Sequence, residues 1–180
     1  MDRRLKIGLF GMYGLYNYGC EAIVRGTYEL IKQAWPNSEI ILYTRFPQDD
    51  RQVVKDLIIT VKQAPENKGA LLRRIINRFL RGIHAKRKLL IWDAETVADE
   101  CDIVFSVGGD IYTIPKYILN NNKETRHSGI VEFGKIIMKN KPYVIWGASI
   151  GPFGDKKEVQ DYYFKHLSQV QQIFCSGVSI

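Results

Sequence analysis

Short apolar runs alternate with longer amphipathic segments along this chain. The runs at residues 7–10, 39–44 and 57–61 have the length and composition of buried strands. Between them, apolar side chains recur at helical spacing in residues 21–35, and residues 49–55 predict a shorter helix. This order of strand, helix, strand, helix and strand predicts a parallel sheet with right-handed crossover connections.

The second half of the chain continues the alternation. A buried-type strand is predicted within residues 102–110, and residues 111–122 predict a long loop at the end of that strand. The remaining predicted elements are helices at residues 71–83, 93–100, 128–140 and 156–170 and strands at residues 143–149 and 173–175. We therefore expect a single α/β domain over residues 1–180, Rossmann-like and three-layered, with a mainly parallel sheet of about five to six strands.

Composition is that of a soluble globular domain, with 46% of the residues apolar and 25% charged. A length of 180 residues is enough for one full core and short for two domains. The sequence has no apolar run of the roughly 18 residues that a membrane-spanning helix needs. No signal-peptide core precedes the first predicted strand. We therefore expect a cytoplasmic protein.

The cysteines and histidines show no spacing typical of a ligand set. Cys20, Cys101 and Cys175 are widely separated and odd in number, so we expect reduced thiols rather than a disulfide frame or a metal site. The three histidines are scattered, and we expect them at the surface: His84, His127 and His166. The sequence therefore predicts no metal.

The positive charge is concentrated in one segment. The whole chain carries a net charge of +7, and residues 67–92 contain eight cations and no acid. Within this segment, residues 71–83 place an apolar stripe beside Arg73, Arg74, Arg78 and Arg81. The first interpretation is a surface helix that packs its stripe on the domain and leaves a solvated basic face.

Two other interpretations of this helix stay open. It can lie on an anionic membrane, where cations on the polar face favour binding, which would make the protein peripheral at the inner face of the membrane. It can also contact nucleic acid, although no aromatic side chains are interleaved with the cations and no known nucleic-acid module is present.

The first predicted strand ends in a loop that contains Gly11, Gly14 and Gly19. Glycines let the backbone approach a ligand closely, and the following helix start offers N–H groups to an anion. The spacing is not G-x-G-x-x-G, and the Lys-Ser/Thr of a P-loop is absent, so neither nucleotide fingerprint applies. The loop instead carries two polar side chains, Asn17 and Glu21.

Two further strand ends carry glycines and a polar side chain. Gly108, Gly109 and Asp110 follow the strand within residues 102–110, and Ser149 and Gly151 lie at the end of the strand at residues 143–149. The carboxyl ends of parallel strands lie along one edge of a sheet, where ligands bind in such folds. We therefore expect the three loops to meet along one rim.

Together these loops resemble the amino-terminal half of the polysaccharide pyruvyl transferase family. In that family a first loop of the form G-x-x-N-x-G-[DC]-E, a strand end D-x-[VI]-x-x-x-G-G-D and an element G-x-S-[IL]-G-P recur in this order at comparable spacing. All three forms are present here, at residues 14–21, 102–110 and 147–152. The resemblance extends from residue 6 to residue 174.

The resemblance implies a fold and a reaction. Members have a GT-B-like architecture of two α/β domains. They transfer the pyruvyl unit of phosphoenolpyruvate to two hydroxyls of a sugar. Phosphoenolpyruvate is the co-substrate, and no further cofactor is implied. The product is a pyruvate ketal on a cell-surface polysaccharide (an exopolysaccharide, for example) or on its polyprenyl-linked precursor. The implied catalytic residue is Asp110, and the implied substrate-binding residues are Asn17, Glu21, Gly108, Gly109, Ser149 and Gly151.

Ordinary structural roles are open for the same residues. Asn17 can cap the following helix, and Glu21 can complement that helix's dipole in its first turn. Asp110 and Ser149 can each stabilise a turn. A binding role is open for three tyrosines of the first loop, whose rings can stack on a sugar: Tyr13, Tyr16 and Tyr18.

Family members continue into a second α/β domain that carries the expected histidine and arginines of the donor site. We therefore expect residues 1–180 to be the amino-terminal domain, without the carboxy-terminal one, and to be inactive alone. Two rival functions remain. One is half of a GT-B-type glycosyltransferase that uses a nucleotide sugar, and the other is a non-catalytic domain that binds a membrane surface or a partner.

Overall fold

The apolar runs of the chain form a single parallel sheet. The computed structural model describes residues 4–82 and 88–178, and within these ranges six strands pair side by side, all in parallel. The strands are β1 (Lys6–Phe10), β2 (Glu39–Thr44), β3 (Thr60–Gln63), β4 (Ile103–Val107), β5 (Tyr143–Ile150) and β6 (Gln172–Val178). Their spatial order is β3-β2-β1-β4-β5-β6.

Helices cover both faces of the sheet. They are α1 (Tyr18–Ala34), α2 (Pro47–Val53), α3 (Ala70–Gly82), α4 (Ala94–Glu100), α5 (Lys116–Leu119), α6 (Gly129–Ile137) and α7 (Lys157–Leu167). Alternate side chains of β1 show the two layers, because Ile7 and Leu9 pack in the cluster that includes α1, whereas Phe10 packs with α4, α6 and α7. The predicted Rossmann-like, three-layer α/β fold is therefore confirmed.

The strand order places a crevice between β1 and β4. These two strands are neighbours, but the chain leaves β1 toward β2 on one side and leaves β4 toward β5 on the other. In doubly wound sheets, ligands bind at such a switch point, outside the carboxyl ends of the strands. The loops after β1 and β4 are the glycine loops singled out in the sequence.

Element boundaries differ from the predicted ones where a side chain or a neighbouring strand sets them. Helix α1 begins at Tyr18, three residues before the predicted start, because Asn17 caps it. Strand β6 extends beyond residues 173–175, since it pairs with β5 along most of its length. The predicted loop at residues 111–122 contains the short helix α5. None of the helices in the described ranges is both long and apolar enough to span a bilayer.

The expectation of surface histidines is wrong for His166. Its side chain is fully buried, and it shares the inner face of α7 with Val159 and Tyr163 at helical spacing. Gly134 on α6 makes room for the ring, because a Cβ atom there would lie 2.8 Å from His166 Cε1. His127 is half-buried, and His84 lies outside the described residues.

The first interpretation of the basic helix α3 is wrong for most of its apolar stripe. Leu71, Leu72, Ile75 and Phe79 face solvent, Ile76 and Leu80 are half-buried, and the buried side chain is the polar Asn77. The helix is attached to the domain through hydrogen bonds of Arg73 and Asn77 to the backbone of residues 89 and 90. Residue 83 and the side chain of Arg81, both part of the predicted basic helix, lie outside the described part of the structure.

Candidate functional site

A cavity of ≈ 540 Å³ lies at the carboxyl edge of the sheet, at the switch point between β1 and β4. Its wall combines the loop after β1, the first turn of α1, the loop after β4 and the start of α6. The lining residues that belong to the sequence motifs are Asn17, Gly19, Cys20, Gly108, Gly109 and Asp110. Two of the three predicted loops therefore meet at one cavity.

The loop after β1 is held in place by a buried carboxylate. Asp50 is 3% exposed, and its Oδ1 accepts a hydrogen bond of 2.8 Å from Leu15 N. Its Oδ2 contacts the hydroxyl of Thr44, which also lies 3.2 Å from the carbonyl oxygen of Tyr13. The loop is further tied to the end of β2 by the hydrogen bond from Arg45 N to the same Tyr13 carbonyl. The cavity wall is thus preorganised by contacts with β2 and α2.

Two glycines shape the loops after β1 and β4. Gly11 has φ +118°, and a Cβ atom there would lie 2.8 Å from the carbonyl oxygen of Val107 at the end of β4. A side chain at Gly11 would therefore be strained and would push the two loops apart. Gly108 has φ +154°, and its Cβ would lie 2.9 Å from Ile111 Cγ2 within the loop after β4, so a side chain there would distort that loop.

Asn17 caps helix α1 and also lines the cavity. Its side-chain oxygen accepts a hydrogen bond of 2.8 Å from Cys20 N, and its backbone is extended. The capping role considered for this residue is therefore observed. The start of α6, at Ser128 to Ile130, lines the same cavity, so two helix N-termini face it.

Asp110 is exposed at the mouth of the cavity. Its backbone carbonyl accepts hydrogen bonds from Thr113 N at 3.3 Å and from Thr113 Oγ1 at 2.8 Å, which close a turn. Its carboxylate has no hydrogen-bond or ion-pair partner among residues 4–82 and 88–178. The turn thus uses the backbone of Asp110 and leaves the carboxylate available to a ligand.

The third predicted loop supports the cavity without lining it. Ser149 N donates a hydrogen bond of 2.6 Å to the carbonyl oxygen of Gly109, and Gly151 N donates one of 3.0 Å to that of Tyr112. Ser149 lies within β5, beside a register shift in its pairing with β6. Through these hydrogen bonds, the backbone of Ser149 and Gly151 holds Gly109 and Tyr112, which lie on either side of Asp110 in the chain.

Glu21 lies outside the cavity lining and is engaged in an ion pair. Its Oε1 is 2.7 Å from Arg25 Nε, one turn further along α1. Arg25 also donates hydrogen bonds to both carboxylate oxygens of Asp56 and to the carbonyl of Val53. The hydrogen bond from Arg25 is the main reason that the pKa of Asp56 is lowered. Glu21 thus takes part in attaching α1 to the segment that follows α2.

A buried polar cluster underlies the loop after β4. The hydroxyl of Tyr112 lies 3.2 Å from Ser106 Oγ and 3.0 Å from the hydroxyl of Tyr143. Burial raises the pKa of Tyr112 well above its usual value and that of Tyr143 to about 12, so both phenols stay protonated as hydrogen-bond donors. The ring of His166 lies against both tyrosines, and both of its nitrogens lack a partner within the described residues.

The family of the protein follows from a comparison with known families. The family model described as polysaccharide pyruvyl transferase matches residues 17–175. The chain belongs to the polysaccharide pyruvyl transferase family. The matched range contains residues 17–21 of the first motif, with Asn17, and the whole of the other two motifs, with Asp110 and Ser149. The resemblance noted in the sequence is thereby confirmed, and the family is one of transferases in polysaccharide synthesis.

Other comparisons add little about this pyruvyl transferase family member. No curated protein matches the chain. Among solved structures, it is similar to lactate dehydrogenase from Eimeria maxima, crystallised with NADH and oxamate, at 16% sequence identity and a TM-score of 0.36. The similarity covers 97% of this chain and 44% of that one, so the chain spans less than half the length of this relative.

Sequence analysis of this pyruvyl transferase family member missed Arg45. This residue directly follows β2, and its guanidinium carbon lies 4.4 Å from the ring centroid of Tyr13 and 4.8 Å from that of Trp92. Tyr13 in turn lines the cavity, together with Tyr16. Its position in the sequence could have indicated a site residue, because Arg45 directly follows β2 and the carboxyl end of β2 lies on the same rim as that of β1. The residues of α6 were missed because their approach to the cavity depends on a crossover connection.

The described part of the structure offers no metal centre. Within residues 4–82 and 88–178, no group of three or more His, Cys, Asp or Glu side chains is placed to hold a metal ion. Cys20 lines the cavity as a half-buried free thiol. The polar side chains that line the cavity are those of Asn17, Cys20, Asp110, Ser128, Tyr13 and Tyr16.

Proposed function

We propose that this protein takes part in the transfer of a pyruvyl group from phosphoenolpyruvate to two hydroxyls of a sugar, in a cell-surface polysaccharide or its lipid-linked precursor. We further propose that the cavity at the switch point holds the acceptor sugar, and that the reaction is cytoplasmic. The observation that carries the proposal is that Asn17, Gly108, Gly109 and Asp110, which belong to two of the motifs and lie within the matched range, line one cavity.

In this proposal Asp110 acts on the acceptor. A sugar hydroxyl that adds to the enolpyruvyl carbon must lose its proton, and an unpaired carboxylate at the cavity mouth can orient that hydroxyl and accept the proton. The methylene carbon of phosphoenolpyruvate takes up one proton and becomes the methyl group of the ketal. Each of the two sugar hydroxyls loses a proton as it adds to the neighbouring carbon, and the phosphate leaves with the second proton as inorganic phosphate. The ring of Tyr16, which is 77% exposed, provides an aromatic face for the sugar.

Arg45 supports an anionic ligand near the same rim. Its guanidinium is held over Tyr13 and Trp92 and makes no ion pair within the described ranges. A cation held by two rings loses little conformational freedom when it binds a carboxylate or phosphate. The family resemblance implies that the remaining donor-binding groups belong to a second domain. We therefore propose that residues 1–180 bind the acceptor sugar but do not catalyse the transfer alone.

Thermal-shift titration of the purified chain tests the acceptor site. We expect glycosides of galactose or N-acetylmannosamine to raise the midpoint of unfolding, and the shift to disappear in Asp110→Asn. Asp99→Asn is the matched control, because Asp99 is also exposed but lies near the end of α4, beside the amino edge of the sheet. Stabilisation by UDP or GDP instead of the sugars would favour a nucleotide-sugar glycosyltransferase.

Turnover separates the reaction from simple sugar binding. We expect no phosphate release when the chain is incubated with phosphoenolpyruvate and acceptor. Release would contradict the requirement for a second domain while supporting the transferase reaction. In a longer family member, replacing the aspartate that corresponds to Asp110 with Asn should abolish phosphate release without unfolding the protein. Unchanged turnover there would remove Asp110 from the reaction.

A further inference from the structure

Helix α3 is attached to the domain by its polar side. Asn77 is buried, and its amide donates a hydrogen bond of 2.8 Å to the carbonyl of Leu89 and accepts one of 2.7 Å from Leu89 N. One turn earlier, Arg73 donates a hydrogen bond of 2.8 Å to the carbonyl of Leu90. These bonds fix the rotation of the helix about its axis.

The opposite side of α3 is apolar and faces solvent. Leu71, Ile75 and Phe79 recur every four residues on one stripe with Leu72 beside them, and these four side chains are between 59% and 71% exposed. Ile75 and Asn77 lie on opposite sides because two helical positions correspond to about 200°. A helix in water normally buries its apolar side against the protein, so this orientation is inverted.

Cations border the exposed stripe. Arg74 and Arg78 are exposed, and α3 contains no acidic residue. Arg74 forms an ion pair with Glu66, whereas Arg78 makes none within the described ranges. An apolar sector bordered along one side by arginines, on a helix of 13 residues, is typical of helices that lie in the plane of a membrane interface.

We propose that this face of α3, formed by Leu71, Leu72, Ile75, Phe79 and Arg78, docks on the surface of a membrane that contains anionic lipid. The stripe protrudes from the surface on a single helix and does not form a groove. Acyl chains can surround such a protruding apolar surface without a preformed binding groove. The positive charge argues for anionic headgroups, since cations near such a surface add to the attraction. The proposal goes beyond the transferase reaction and does not depend on it.

The docking face and the cavity are connected at the rim of the sheet. The segment that carries α3 leaves the carboxyl end of β3 and returns through Trp92, which forms a β-bridge with Glu66. Trp92 also stacks on Tyr13 of the cavity wall, with ring centroids 6.2 Å apart. Docking through α3 would therefore bring the edge that carries the cavity toward the lipid surface.

Co-sedimentation with vesicles tests the proposal. We expect the chain to bind phosphatidylcholine vesicles that contain phosphatidylglycerol, and to bind pure phosphatidylcholine vesicles much more weakly. The double variant Ile75→Ser/Phe79→Ser should reduce binding by roughly tenfold or more, because it removes the two central apolar contacts. Arg78→Glu should reduce it by about fivefold or more, and high salt should weaken binding by the parent chain.

Matched controls use exposed residues elsewhere. Ile58 is 81% exposed just before β3, and Lys139 is exposed just after α6. Both lie toward the amino edge of the sheet, so Ile58→Ser and Lys139→Glu should leave vesicle binding unchanged. Far-UV circular dichroism shows whether each variant keeps the fold, which is expected because none of the changed side chains is buried.

Two results would overturn the proposal. One is parent-level binding of the Ile75→Ser/Phe79→Ser variant to anionic vesicles, which would place the lipid contact elsewhere. The other is the absence of vesicle binding together with self-association, seen by sedimentation velocity and lost in the same variant. That outcome would make the α3 face an interface between two copies of the protein.

Discussion

At the scale of single residues, Asp50 organises the cavity wall although it does not line it. Its two carboxylate oxygens connect the loop after β1 to Thr44 at the end of β2. The carboxylate is buried, so each of these contacts replaces hydration that the charged group would otherwise have. Removing it would leave the Leu15 N–H without its partner in a buried place.

We therefore predict that Asp50→Ala lowers the free energy of unfolding by about 2 to 4 kcal/mol, measured by urea denaturation. The physical reason is the loss of a charge-assisted acceptor from Leu15 N and from the Thr44 hydroxyl. Asp49→Ala is a matched control, because Asp49 lies in the same first turn of α2 but is exposed. Equal destabilisation by the two substitutions would assign the effect to the helix dipole rather than to the buried network.

At the scale of elements, the start of α1 combines a structural and a proposed binding role in one side chain. Asn17 caps the helix and lines the cavity. A cap needs only an oxygen that accepts from a backbone N–H, whereas a sugar contact can also use the amide N–H₂. Substitutions that keep the cap and remove the amide can therefore separate the two roles.

Asn17→Ala should lower the free energy of unfolding by about 1 kcal/mol, and Asn17→Ser should have a much smaller effect because serine also caps helices. If the amide contacts the acceptor, both variants should lose the sugar-dependent thermal shift. Retention of that shift in Asn17→Ser would leave Asn17 with the capping role alone. Urea denaturation and thermal-shift titration of the same protein samples provide the two measurements.

Helix α3 shows how a pattern can be right while its interpretation is wrong. The sequence predicts an amphipathic helix, and the helix forms at nearly the predicted residues. The side of the helix that faces the protein depends on the hydrogen-bond partners available there, namely the backbone groups of residues 89 and 90. These groups hydrogen-bond Asn77 and Arg73 and so turn the apolar stripe outward.

At the scale of the whole molecule, His166 couples the stability of the fold to pH. Burial, with a smaller effect of Lys135, lowers the pKa of His166 from 6.5 to about 4. The unfolded chain therefore takes up a proton at a higher pH than the folded one. The stabilising contribution of the neutral ring is complete above pH 6.5 and is lost progressively as the pH falls toward 4.

We predict that the free energy of unfolding decreases by about 3 kcal/mol between these pH values through His166 alone. Urea denaturation across that range should show a weaker pH dependence in His166→Phe, which has no titrating group. Because burial also lowers the pKa of His127, His127→Gln is the comparison variant and should remove a smaller part of the dependence. An unchanged pH profile in His166→Phe would show that other groups dominate.

Much of the fold follows from local pattern. Strand β2 has the predicted bounds, and helix α4 differs by one residue, since Asp93 caps it rather than beginning it. These elements are determined by alternation, helical spacing and capping side chains, all of which act over a few residues. The strand–helix alternation further favours a parallel sheet, because a helix between two strands lets the chain run in the same direction in both. Such crossovers are nearly always right-handed.

The candidate site could be predicted only in part. Asn17 and Asp110 were predicted to share a rim because both follow strands of one parallel sheet, and both line the cavity at the switch point. Ser149 was placed on the same rim because it ends the predicted strand at residues 143–149, but it lies within β5, where its backbone supports Gly109. Glu21 lies one turn into α1, where Arg25 is within reach at the next turn.

The sequence by itself determined the order of the elements, the parallel sheet and the loops at its carboxyl edge, because hydrophobic periodicity and glycine placement are local properties of the chain. Only the tertiary structure decided that Asp50 ties the first loop to β2, that Arg45 lies over Tyr13 and Trp92, and that α3 turns its apolar side outward. Each of these contacts joins residues from different elements, and the choice among possible partners depends on which groups remain unsatisfied after the sheet has formed.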